Sequence, residues 1–92
     1  MMMKMMKLKY NVEIQAVLDK YIAVLSNPDN EKDTRVLNLN ATSADILYGI
    51  KEGLDDEEIY KKIAEIYDID EATAKEDTKA FIQDLKNNGI VE

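Results

Sequence analysis

A short apolar stretch that runs straight into a capped helix, Arg35 to Gly53 (RVLNLNATSADILYGIKEG), limits the possible folds more than any other part of the chain. Arg35 to Leu39 combines branched and long apolar residues around Asn38 and reads as a strand. Asn40, Thr42 and Ser43 then supply side-chain oxygens suited to the free N–H groups at a helix start. Ala44, Leu47, Ile50 and Leu54 come next at helical spacing, and Gly53 can adopt the left-handed conformation that ends a helix. The residues before this hinge read as β, and those after it read as α.

Before the hinge, Asn11 to Val17 alternates Val12, Ile14 and Ala16 with Glu13 and Gln15, the period-two pattern of a half-buried strand. A turn at Asp19-Lys20 leads to a second strand, Tyr21 to Leu25, and the two should form an antiparallel hairpin. Ser26 to Thr34, with the only proline, reads as a polar loop before the third strand. Beyond Gly53, Asp55 and Glu58 form an acidic variant of the capping box. Ile59, Ile63 and Ile66 line one face of the second helix, Asp68-Ile69-Asp70 breaks it, and Asp70 is placed to cap the next. Ala74, Thr78, Phe81 and Leu85 form the expected inward stripe of the third helix, which Gly89 closes with Ile90 folding back on Leu85. The expectation is an α+β fold: a three-stranded antiparallel meander followed by three helices (β-β-β-α-α-α), winged-helix-like, in one domain over 10–92. Residues 1–9, which begin MMMKMMKLK, are set apart as a flexible N-terminal segment.

With no cysteine and no histidine, the chain lacks a disulfide framework, a thiol nucleophile and the commonest general base and metal ligand. Its 19 acidic residues read as solvated helix faces and caps, because no spacing suggests a partnered, desolvated carboxylate. No glycine-rich phosphate loop or calcium loop is present. The expectation is therefore no catalytic residue, no metal and no cofactor. The net charge of −7 concentrates in the helical half, since residues 55–92 carry 12 acids against 5 lysines. That balance opposes a nucleic-acid surface, and no apolar run is long enough for a membrane span. The cytoplasm is the default compartment.

One surface pattern stands apart. On the third helix Lys75, Lys79, Ile82 and Lys86 fall within about 60° of each other at ~100° per residue, roughly 110° from the inward stripe. This pattern suits either a solvated flank or one wall of a groove for an anionic segment. A meander leaves its first and third strands as edges for an extended chain, and Arg35, Val36, Leu37, Asn38 and Leu39 of the third would have a groove beside them if the third helix flanks it. Lys75, Thr78, Lys79, Ile82 and Lys86 would then form the facing wall, and the peptide would carry acids beside an apolar anchor.

From about Val12 onward the chain resembles the PqqD family, small peptide-binding proteins of pyrroloquinoline quinone biosynthesis and related peptide modification. The resemblance rests on Leu39-Asn40, Thr42, Ala44, Ile46, Ile50 and Gly53, and then on Glu58-Ile59, Ala64 and Tyr67-Asp68. It continues through Asp77, Phe81-Ile82, Leu85, Gly89 and Ile90. Leu47 stands where the family has a large aromatic residue, often Trp, and Gly49 interrupts the first helix. The resemblance implies a peptide recognition element of ribosomally made, modified peptides. In that family a leader peptide adds beside the third strand, packs on the third helix, and is presented to a modifying enzyme, often a radical S-adenosylmethionine enzyme. Two alternatives remain open on the residues alone: a winged-helix DNA-binding regulator, which the charge disfavours, and a general protein docking domain.

Overall fold

The computed structural model describes residues 6–92. Its elements keep the expected order: β1 (Asn11–Val17), β2 (Lys20–Asn27), β3 (Asn30–Leu39), α1 (Ala41–Lys51), α2 (Asp56–Ile66) and α3 (Glu71–Asn87). The strands form an antiparallel meander with β2 in the centre. One sheet face carries Val12, Ile14, Ala23, Leu25, Leu37 and Leu39 toward the helices. α1 lies across all three strands, and α2 and α3 pack beside it. The core joins that sheet face to Leu47 and Ile50 of α1, Ile59 and Ile63 of α2, and Ala74, Ile82 and Leu85 of α3. Leu47 is fully buried.

The helix ends are set by local chemistry. Asn40 caps α1 by accepting from the Ser43 N–H at 2.7 Å. Asp55 and Glu58 complete the capping box of α2 in both directions. Gly53 (φ +84°) and Gly89 (φ +72°) close α1 and α3, and Ile90 N–H reaches the Leu85 carbonyl at 2.9 Å as in a Schellman ending. Asp68, at φ +50°, does the same for α2. Asp70 occupies the N-cap position of α3, but its side chain makes no capping hydrogen bond.

Other expectations change as well. Ser26 to Thr34 is not a loop: both strands extend to a turn at Pro28-Asp29, where Asp29 N–H binds the Asn27 side chain at 2.9 Å. The first turn falls at Leu18-Asp19, one residue earlier than expected, and places an almost fully exposed Leu18 at φ +58°. Ile66 points to solvent instead of extending the apolar line of α2. Gly49 is a contact point: a Cβ there would lie 2.7 Å from Ile59 Cγ1, so α1 and α2 meet closely because the side chain is absent. Of the N-terminal segment, residues 1–5 lie outside the described residues. Residues 7–9 pair antiparallel with residues 90–92, through Lys9 N–H to the Ile90 carbonyl and Glu92 N–H to the Lys7 carbonyl, each at 2.9 Å.

Candidate functional site

The free edge of β3 has a definite hydrogen-bonding parity. The two-residue turn at Leu18-Asp19 joins Val17 to Lys20, so these partners form a hydrogen-bonded pair. Such pairs alternate along an antiparallel ladder, so Ile22 and Val24 also direct their backbone groups to β1. Tyr21, Ala23 and Leu25 therefore direct theirs to β3, opposite Leu39, Leu37 and Arg35. The groups left unpaired on the open side of β3 belong to Val36 and Asn38. Their side chains lie on the outer sheet face, where Val36 is 60% exposed, while Leu37 and Leu39 point to the helices.

α3 presents two flanks, and they face different parts of the fold. Lys79, Ile82 and Lys86 line a concavity of about 360 Å³ with Met6, Asp56 and Glu92. Lys75 lies on the same flank, with its ammonium 5.9 Å from the centre of the Tyr60 ring of α2. The expected lysine wall therefore faces α2 and the N-terminal segment, and the structure does not bring it together with Arg35, Val36, Leu37, Asn38 and Leu39. Thr78 is fully buried, and Ile82 belongs to the core. The inward stripe keeps Ala74, Thr78 and Leu85 as expected, but Ile82 takes the place of Phe81, which moves to the flank.

The opposite flank faces the junction of β3 and α1. Asp77, Ala80 and Phe81 border a concavity of about 310 Å³ together with Asn40, Thr42, Ser43 and Ile46, where β3 passes into α1. Further along, the Arg35 guanidinium donates to the Asn88 carbonyl at the end of α3 at 2.7 Å. α3 thus runs antiparallel to β3, with Phe81 near the Asn40 end of the strand and Asn88 beside Arg35 at mid-strand. Phe81 and Asp77 were not legible as site residues because the helical pattern alone gave Phe81 to the core.

Arg35 is held by a polar node. It pairs with Asp33 (3.6 Å) and stacks 5.1 Å from the centre of the Tyr10 ring. Asp33 in turn accepts from Tyr10 Oη at 2.7 Å and Asn27 Nδ2 at 3.1 Å. The Tyr10 hydrogen bond lowers the Asp33 carboxyl below its ordinary range, and the same bond raises the Tyr10 phenol. The node ties the N-terminal approach, the β2–β3 hairpin and the end of α3 together. A second anchor joins α1 to α2 through the Tyr67 hydroxyl, which donates to Asp45. Burial, followed by this hydrogen bond, pushes the Tyr67 phenol up to about 12. Among the described residues no helix is long and apolar enough to cross a membrane.

The arrangement offers an open strand edge and an adjoining hollow of mixed polar and apolar lining, which suits binding of an extended chain. Comparison with known proteins bears on this point. The family model described as coenzyme PQQ synthesis protein D (PqqD) matches residues 22–91. TbiB1, solved in complex with the TbiA(beta) leader peptide, is similar to the chain with a TM-score of 0.67 and 25% identity, covering 88% of each chain. A comparison with curated proteins found no match.

Proposed function

The chain belongs to the PqqD family, and from that premise we propose that it is a non-catalytic carrier of a ribosomally made precursor peptide. The leader of that peptide adds as a fourth strand at the edge of β3 and packs toward α3, and the complex is presented to a modifying enzyme. The observation that carries this reading is the similarity over 88% of the chain to a protein solved with a leader peptide, combined with an edge strand whose Val36 and Asn38 groups are unpaired. Backbone pairing gives such a site affinity for any extended chain, and the neighbouring walls decide which chain is held. The modifying enzyme, often of the radical S-adenosylmethionine type in the family, supplies the chemistry, in the cytoplasm.

The test is a titration of the labelled protein with the leader of a short precursor encoded beside its gene. Chemical-shift changes along Arg35 to Leu39 and on the Phe81 flank of α3 are expected, with no change in the peptide's mass. Changes confined to β1, or turnover of the peptide by this protein alone, would refute the assignment.

A further inference from the structure

Resting on the reading that a peptide adds at β3, we propose that the groove selects an apolar side chain together with a basic one at even spacing. This reverses the charge preference suggested by the lysine pattern. The spacing comes from backbone parity. A strand that pairs with Val36 and Asn38 places the residues directly opposite them on the outer face, where Val36 already lies exposed. The peptide residues opposite Leu37 and Leu39 must then face the helices. The one opposite Leu39 arrives at the hollow beside Asn40, whose apolar surfaces are Phe81, Ala80 and Ile46. Its volume of about 310 Å³ admits a leucine or aromatic side chain.

The charge preference comes from what surrounds that hollow. Asp77 is the only charged residue in its lining. It is exposed and, among the described residues, has neither an ion pair nor a side-chain hydrogen bond. The cation nearest along the strand, Arg35, is already engaged by Asp33, Tyr10 and the Asn88 carbonyl. The three lysines of α3 lie on its other flank. An acidic peptide residue entering here would meet Asp77 unopposed, whereas a lysine or arginine two residues from the apolar anchor lies on the same face and can pair with it.

The experiment selects binders of the full-length chain from a displayed library of random dodecapeptides, then measures synthetic versions against the labelled protein by titration and amide exchange. The expected binders place Lys or Arg at an even offset from an apolar residue and slow exchange at Val36 and Asn38, whose amides are open in the free protein. Asp77→Lys should weaken a lysine-bearing binder about two- to fivefold and transfer the preference to its glutamate analogue. Because Asp77 is exposed, that variant keeps the fold. Phe81→Ala should weaken both analogues equally at low and high salt. Binders that protect Val36 and Asn38 but are indifferent to Asp77→Lys, or that are enriched in acids, overturn this inference and leave strand addition standing. Binders that leave β3 unprotected, or a selection that returns none, overturn strand addition and this inference with it.

Discussion

The parity of β3 can be tested without any peptide, by placing proline at two neighbouring positions. The Leu37 N–H is bonded to Ala23 on β2, and Ala23 is fully buried. Leu37→Pro removes that donor and leaves an acceptor unpaired away from water, which costs about 1–3 kcal/mol. Losing part of the half-buried leucine adds about 1 kcal/mol, and the ladder is interrupted next to the central strand. The Val36 N–H points to solvent, so Val36→Pro breaks no bond within the sheet, and an edge strand accepts proline on that side. Its cost is limited to lost strand preference, about 1 kcal/mol or less. Urea denaturation should therefore show a fall of roughly 3 kcal/mol for Leu37→Pro and a much smaller one for Val36→Pro. Equal losses, or a larger loss for Val36→Pro, would show that the outward groups belong to the other set of residues.

Three further outcomes concern the core. Gly49→Ala should destabilise the fold by about 1–3 kcal/mol of overpacking against Ile59, more than the ~1 kcal/mol that alanine contributes to an isolated helix. Denaturation of the variant should also show partial recovery when Ile59 is trimmed to Val. Thr78→Val should raise the melting temperature, because the Thr78 hydroxyl is fully buried without a hydrogen-bond partner. The Tyr67 phenol is raised from 10.0 to about 12, so the folded state holds its proton more tightly than the unfolded state. Its contribution is complete below about pH 10 and is lost as pH rises toward 12, and Tyr67→Phe should flatten that part of a stability profile measured by denaturation.

Features that depend on a few adjacent residues were legible in the sequence. β1 spans the expected Asn11–Val17, the Asp55–Glu58 box caps α2, and Gly89 with Ile90 closes α3. Each depends on a local pattern that the chain's tertiary contacts do not override. The extensions of β2 and β3 through Ser26 and Thr34 were hidden because this end of β3 buries little side chain and so shows no apolar alternation. The phase of α3 was harder still. Phe81 and Ile82 are about 100° apart on the helix, and an apolar residue at either position is consistent with one buried stripe. Only the packing of α2 on one side and the hollow at the β3–α1 junction on the other show that Ile82 is core and Phe81 is rim. Gly49 read as an interruption because its value lies in a contact with Ile59, ten residues further along the chain.

The meander leaves two edges, and the choice between them rests on what stands beside each. By the same parity, β1 turns the backbone groups of Val12, Ile14 and Ala16 outward, so a peptide could find donors and acceptors there as well. Backbone pairing alone would then not distinguish the strands, because every extended chain offers the same groups. The difference lies in the walls. Neither concavity beside α3 includes a β1 residue, whereas the hollow of Phe81 and Asp77 begins at Asn40, directly after the last residue of β3. A peptide on β1 would be held by its backbone on an open surface. A peptide on β3 can also bury an inward side chain, and a fully buried leucine or phenylalanine side chain contributes roughly 1.5–3 kcal/mol, about ten- to a hundredfold in affinity. That margin is large enough to direct one peptide to β3 from a sheet with two open edges. It also makes recognition depend on side chains that β3 itself does not supply.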